Sequence, residues 1–518
     1  MRILVFHGYL LRGTGSNVYN HSLASELVSQ GHEVHLLCQD REPFGFDFVD
    51  ARGSWSNGAL EVEERRRPAR CTVYRPDIGG LLPVYVADRY DGIEARPFPE
   101  LDEDELDRYL EANVAAVREV AERARPDVAL ANHLVMGPAI LARALDDVPY
   151  AIKVHGSALE YTVKPHPRFL PYAREGLARA RAVLVGSRHT AESLWAAIDD
   201  PRLPERTRLG PPGVDVQAFT PREPAVAAAE LGALAERLAA MAPTGDTDSA
   251  FARDGAHAGR ALAGLDPARD QLVAFVGKLI LAKGIDLLLA AWPLVLEREP
   301  RARLVVVGFG AFQEGAQRMA DALAGGDLEA VRELARIGRQ AEGGPPGRLS
   351  FLAAFLDVLE EDGERRSRYL SAAAALPEQV VFCGRLEHDE LTAVLPACQA
   401  LVVPSTFPEA FGMVAAEAAA CGALPIGAAH SGLAEVSDAL ADTLPAPARG
   451  LLSFPLGPEA VVDLAERVGA WLAAPAGVRE QTRRALVATT RERYSWAGVA
   501  RGVIAAAQGR LDQLDRPR

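Results

Sequence analysis

The segment "PEAFGMVAAEAAACG" at residues 408–422 places two acids, Glu409 and Glu417, eight positions apart in a stretch otherwise suited to a buried helix. The alanines favour a helix starting near Phe411-Gly412-Met413, and at 1.5 Å rise per residue the two carboxylates stand about 12 Å apart along it. The first amides of such a helix and the positive end of its dipole form an anion site, and Gly412 lets an oxygen-bearing ligand approach the backbone. Phosphate is the natural guest. An acid on either side of it suits a sugar and a ribose, each offering hydroxyl donors. A nucleotide diphosphate sugar has that layout.

An isolated pair of acids is more often structural than functional, so other segments have to decide. "GKLILAKG" at 277–284 sets Lys278 and Lys283 five apart around a turn that follows an apolar strand. Two such cations can offset a departing diphosphate without a metal. No Asp-x-Asp stands at a strand end to hold magnesium, and "LDEDELD" reads as the acidic start of a helix. No metal ligands and no cofactor are expected.

These residues need strand ends to carry them. "RILVFH" is an apolar run ending at a glycine loop, "GTGSNVYNHSLASELVSQGH" is a capped amphipathic helix closed by Gly31, and "EVHLLCQ" is the next strand, which makes one βαβ unit. Similar runs recur at "DVALAN", "PYAIKVHG" and "AVLVGS", so the first 200 or so residues predict a doubly wound parallel sheet. A second series follows "PPGVDVQAF": "LVAFVGK", "RLVVVGFG", "VVFCGR", "ALVVPS" and "LPIGAA". The expected layout is an N-terminal domain over 1–205, a C-terminal domain over 206–480, and closing helices over 481–518. Residues 222–268 and 311–378 interrupt the second series, and they read as passive insertions, with a lid or an oligomer interface as the alternatives.

The chain has 518 residues, more than one hydrophobic core usually serves, which agrees with two domains. A net charge of −14 disfavours a nucleic-acid partner, and Arg65-Arg66-Arg67 is read as a solvated loop. The five cysteines are scattered and never form a C-x-x-C pair, so they read as small core residues. No apolar run is long enough to span a bilayer and no signal-peptide pattern follows Met1-Arg2, so a cytoplasmic protein is expected.

On "GTGSN", "VHGS", "VLVGSRHTAESL", "PPGVD", "GKLILAKGIDLLLAAW", "VVVGFG", "VVFCGRL" and "PSTFPEAFGMVAAEAAACGALPIGAAHSGLAEV", which occur in family order, the chain resembles the retaining glycosyltransferases of family 4. The resemblance runs from the first strand to about residue 436. It implies the GT-B fold, two facing Rossmann-like doubly wound domains with a deep cleft between them, and transfer from a UDP- or GDP-sugar to an acceptor hydroxyl. It also implies roles. Glu409 resembles the acid that contacts the donor sugar, Glu417 the acid that binds ribose, and Phe411, Gly412 and Met413 the stretch whose amides meet the diphosphate. Lys278 and Lys283 match the phosphate-holding basic pair. Lys278 departs from the commoner arginine and gives up a bidentate fork while keeping the charge. His155 resembles an active-site residue near donor sugar and acceptor, against the plainer reading of a buried strand-end histidine. Gly13 and Gly15 resemble the loop that closes over the diphosphate, while Gly308 and the segment Arg385-Leu386 are expected to meet the base through backbone atoms.

Substitution at the front face of the anomeric carbon would then retain configuration, with a leaving-group oxygen taking the acceptor proton. Acceptor contacts are expected from the first domain, at Asn132, His133 and Glu160. The resemblance also allows peripheral contact with the inner face of a membrane and an oligomer. Three alternatives remain at this level: a GT-B epimerase of nucleotide sugars, a pyridoxal-phosphate phosphorylase, for which no lysine stands in a suitable context, and a nucleotide-sugar-binding protein without catalysis.

Overall fold

A computed structural model describes residues 1–13, 15–56, 58–85, 93–242 and 253–517. The chain divides into two compact units. The first comprises Met1–Gly213 with the C-terminal segment from Tyr494, and the second the described residues of 214–493.

In the first unit, strands β1 (Arg2–Phe6), β2 (Glu33–Leu37), β3 (Ala51–Ser56), β4 (Ala59–Glu64) and β5 (Cys71–Arg75) share a sheet with β8 (Val128–Asn132), β9 (Tyr150–Val154), β10 (Ala182–Val185) and β11 (Thr207–Leu209). A separate two-stranded sheet pairs β6 (Leu81–Val84) with β7 (Glu94–Pro97). The nine-stranded order is β11-β10-β9-β8-β1-β2-β5-β3-β4, parallel throughout except for the β3–β4 hairpin. Alternate side chains of β1 feed opposite faces: Leu4 and Phe6 enter one apolar layer, Ile3 and Val5 the other. Helices must cover both faces of such a sheet, because its parallel strands can be joined only by crossovers. One of them, Gly15–Ser29, packs beside the C-terminal helix Trp496–Ala507, with Tyr19 and Trp496 rings 5.5 Å apart.

The second unit holds six parallel strands in the order β14-β13-β12-β15-β16-β17: β12 (Gln271–Val276), β13 (Ala302–Val307), β14 (Val380–Gly384), β15 (Ala400–Val403), β16 (Leu424–Ala428) and β17 (Ser453–Phe454). Fully buried Trp292 lies on the crossover helix Ile285–Arg298. All five cysteines are buried and free. No helix among the described residues is long and apolar enough to cross a membrane.

Two expectations need correction. The return to the first unit begins at Tyr494, because the helix Ala476–Arg493 stays in the second unit and packs on Met413–Cys421. Nor are the insertions passive, although residues 243–252 of the first lie outside the described residues. That insertion contributes helices Pro224–Ala239 and Gly255–Ala263, and the second shields the edge strand β14, where the His257 ring bonds the Phe382 carbonyl at 2.8 Å. The other insertion folds as helices Gln313–Ala324, Leu328–Ile337, Ser350–Glu361, Gly363–Ala373 and Leu376–Gln379. Both reach the loops described next.

Candidate active site

In the second unit the strand order reverses between β12 and β15, and an open parallel sheet offers its ligand crevice beyond the strand ends at such a point. The loops after these two strands touch backbone to backbone. Gly284 sits at φ 70°, and a Cβ there would lie 1.9 Å from the Pro404 carbonyl oxygen, so no other residue fits. That approach brings the end of the turn Leu281–Lys283 against the loop before helix Met413–Cys421. Lys283 Nζ forms an ion pair with Glu409 Oε1, and the Ser405 hydroxyl donates to the same oxygen at 2.6 Å. The Glu409 amide donates to Ser431 Oγ at 2.9 Å and its carbonyl accepts from the Gly432 amide at 2.9 Å, which fixes the acid from behind. Burial alone would raise the Glu409 pKa, but Lys283, the Ser405 bond and nearby His430 outweigh it and hold the group below the usual carboxylate range. Gly412 caps the helix at φ 105°, and among the described residues no side chain makes a capping hydrogen bond to the first amides.

Glu417 lies at the middle of the helix and is 2% exposed. Its Oε1 accepts from His388 Nε2 at 2.8 Å, while Oε2 is buried with no partner among the described residues. His388 sits in the turn His388–Glu390 after β14, with the Phe219 ring 5.0 Å away. Burial would lower its pKa, but Glu417, Asp389 and Asp215 raise it above the ordinary value.

Lys278 is half-buried in the loop after β12, and Gly308 follows β13 with its Cα against the Gly277 carbonyl. Arg385 and Leu386 are buried after β14, where Arg385 pairs with Glu387 at 3.0 Å and lies over the Phe309 ring. Phe411 is buried and Met413 opens the helix. Each insertion braces one of these loops. From the second, Glu342 Oε2 accepts the Leu281 amide at 2.8 Å, two residues from Lys283. From the first, Arg253 donates to both oxygens of Glu390 at 2.6 and 2.7 Å, and Arg237 adds a bond at 3.2 Å.

In the first unit the order reverses between β1 and β8. Here Asn132, His133 and His155 come together. Asn132 donates to the Phe6 carbonyl at 3.2 Å, so its Oδ1 accepts from His155 Nε2 at 2.8 Å, leaving Nδ1 as the acceptor of that ring. His133, at φ 67° and 1% exposed, lies between His7 and His155, with ring centroids 5.6 and 4.9 Å away, and Tyr85 at 4.3 Å. Neither of its ring nitrogens has a partner among the described residues. His7 is fixed by Asn20, which donates to Nδ1, and by Asn17 and the Leu10 carbonyl, which accept from Nε2. Burial lowers the pKa of all three imidazoles, that of His7 to about 4. Glu160 is not part of this group: its oxygens are taken by Lys164 and Ser193 at 2.6 and 2.5 Å. Gly13, at φ 95°, and Gly15, which opens the first helix, flank the end of the β1 loop.

The sequence reading missed Ser405, His388, Glu342, His7 and Tyr85. Ser405, after β15 and four residues before Glu409, and His7, directly after β1, carried a local signal. The others are joined to their partners only by the fold.

Two family models match: "Glycosyl transferase 4-like domain" over residues 14–202 and "Glycosyl transferases group 1" over 348–475. The first spans Asn132, His133 and His155, the second His388, Glu409 and Glu417. The D-inositol 3-phosphate glycosyltransferase of Xylanimonas cellulosilytica is 29% identical over 431 residues, covering 79% of this chain and 83% of the relative. The chain belongs to the family 4 glycosyltransferases, with the GT-B fold. Its activity is glycosyl transfer from a nucleotide sugar. Among solved structures, this glycosyltransferase matches the sucrose-phosphate synthase of Thermosynechococcus elongatus at TM-score 0.58 and 18% identity over 99% of each chain. It matches Anabaena HepE in complex with UDP at TM-score 0.56 and 15% identity, over 98% of this chain and 100% of the other.

Proposed function

We propose that this glycosyltransferase moves a hexosyl group from a UDP- or GDP-sugar to an acceptor hydroxyl with retention of configuration and without a metal. The Lys283–Glu409 pair at the β12/β15 switch point carries the reading. A donor entering there exchanges partners. Its diphosphate takes Lys283 and the uncapped amides at Gly412-Met413, and Glu409, freed of its lysine but still held by Ser405, accepts hydroxyls of the sugar.

As the bond from anomeric carbon to phosphate oxygen breaks, negative charge grows on the diphosphate. Lys283 and the helix amides are fixed donors for that charge, the service a magnesium ion gives elsewhere. A leaving-group oxygen then takes the acceptor proton as the acceptor oxygen bonds the same face of the sugar. Glu417 is assigned to the ribose hydroxyls, and Lys278, Gly308, Arg385 and Leu386 to the phosphates and base. In the first unit His155, with Asn132 fixing its tautomer, is assigned to the acceptor hydroxyl and His133 to acceptor binding, while Gly13 and Gly15 serve the diphosphate.

The test combines a thermal-shift panel of UDP, GDP, ADP and CMP in excess chelator with transfer assays and NMR of the product anomer. UDP, which HepE binds, and D-inositol 3-phosphate, named in the relative, are the first donor base and acceptor to try. A diphosphate-dependent shift in chelator and a product of unchanged anomeric configuration support the proposal. Dependence on added magnesium, an inverted product, or release of an altered free sugar would overturn the corresponding part.

A further inference from the structure

We propose that His388 is a positioning residue for the donor nucleotide: by holding one oxygen of Glu417 it presents the other to the ribose. The inference rests on the donor site proposed above and extends it to a residue outside the paired acids.

Glu417 is a buried acid with one satisfied oxygen and one orphan. An unpaired buried acceptor is costly, and folded proteins keep such groups where a ligand completes them. A carboxylate anchored at neither oxygen would turn about its last bond and spread its acceptors over several directions. His388 Nε2 at 2.8 Å from Oε1 removes that freedom. The imidazole can do so because it is itself fixed. Its turn is closed by a reciprocal cap, with the Glu387 amide donating to Glu390 at 2.8 Å, and Glu390 is clamped by Arg253. The first insertion thus supports Glu417 through two further residues.

The electrostatics add a signature that packing alone would not give. The acids facing His388 are Glu417 on the neighbouring helix, Asp215 on the segment leading to Phe219, and Asp389 beside it. Burial favours the neutral ring, but together these acids favour the cation, so the charge persists above the ordinary imidazole range and is lost as pH rises through the raised pKa. Donor affinity should therefore hold through the ordinary imidazole range and weaken only as pH rises through the raised pKa above it. Nucleotide sugars suit the measurement, since their diphosphate is substituted at both ends and does not titrate in this range.

The experiment is calorimetric titration of the whole protein with UDP-glucose, GDP-mannose and ADP-glucose, carrying forward the tightest across pH 6 to 9. His388→Ala should weaken binding about 10-fold, the scale of one hydrogen bond to a charged group. His388→Gln, which keeps a donor but cannot be protonated, should recover much of the loss and abolish the pH step. Adding His388→Ala to Glu417→Gln should cost little beyond Glu417→Gln alone. If Glu417→Gln binds like wild type, or no sugar nucleotide binds wild type, the donor-site reading falls and this inference with it. If Glu417→Gln is weakened while His388→Ala binds normally or more tightly, the inference alone is overturned, and the imidazole is a plug that the ribose displaces.

Discussion

The two sheet switch points of this glycosyltransferase occupy equivalent positions and are furnished in opposite ways. At β1/β8 three buried imidazoles are kept neutral, and the nearest cation, Lys153, points its Nζ at the Gly210 carbonyl at 2.6 Å. At β12/β15 and on the helix behind it, the charges are kept: Lys283 against Glu409, and His388 against Glu417. The cause is the same in both places. Burial disfavours charge on the imidazoles and on Glu409, and it prevails unless an opposite charge within contact repays it. The second unit has built such pairs at its site, and among the described residues the three imidazoles at β1/β8 have none. A parallel-sheet edge therefore takes its chemistry from its side chains: one edge is suited to charge developing on a leaving diphosphate, the other to hydrogen bonds with a neutral hydroxyl.

The strongest way to break the charged half is to remove its cation. Lys283→Ala should lower kcat/KM for transfer by about 100- to 1,000-fold, the range for loss of one fixed donor to a developing anion. Steady-state transfer from the donor found in the thermal-shift panel measures it. Retention of more than a tenth of the wild-type rate would move the phosphate site elsewhere. Glu409→Gln comes next, at about 100-fold in kcat with nucleotide affinity within about threefold, because its proposed contacts are with the sugar alone. An equal loss in nucleotide affinity would place Glu409 with the diphosphate.

Both residues were legible in the sequence because the strand-to-glycine-loop rhythm locates the sheet edge and each lies within one loop of it. The same rhythm located β1, β2, β8, β9 and β10 in the first sheet and β12 to β16 in the second, and missed the short parallel strands β5, β11 and β17. It did not disclose the β3–β4 hairpin, whose strands are partly exposed at the sheet's edge and carry mixed polar residues, although "SNG" between them is a hairpin signal. Nor could it single out His388. In "GRLEHDEL" the histidine reads as part of a solvated acidic helix start, and its partner stands 29 residues away. Glu342 is harder still, since it caps an amide 61 residues earlier from within an insertion that carries no motif. His133 was marked for its place after β8, but its orphaned nitrogens belong to packing, which spacing does not encode.

Smaller effects sharpen the neutral half. His133→Phe keeps a ring between His7 and Tyr85 and deletes two buried unpaired polar atoms, so stability should hold or rise by about 1 kcal/mol, less whatever the left-handed backbone costs a phenylalanine. His133→Asn suits that backbone and serves as the control. If His133 meets the acceptor, both variants raise acceptor KM about 5- to 10-fold with donor KM unchanged. An unchanged acceptor KM in both would make the histidine stack purely structural.

The smallest expected effect is on the pH dependence of acceptor binding. His133 and His155 have pKa values driven well below 6.5, His133 first by burial and then by His7, His155 first by burial and then by His133, Lys153 and His7. Their charge therefore changes only on acidification, and on their own they would leave acceptor KM flat from pH 6.5 to 8.5. Lys153 is the one neighbour that titrates inside that window. Burial brings its pKa down to about 7, so it is charged below that value and neutral above it, two residues from His155 and against the Tyr19 ring. Losing that cation relieves His155 of a repulsive charge and leaves the imidazole slightly more basic, a better acceptor for a hydroxyl proton at high pH than at low. Acceptor KM should accordingly fall about twofold across pH 7, and Lys153→Met, of similar volume, should erase the step. A step that survives in Lys153→Met, or one larger than about tenfold, would mean that an imidazole of the stack titrates near neutrality. The two sheet edges would then differ in degree of charge and not in kind.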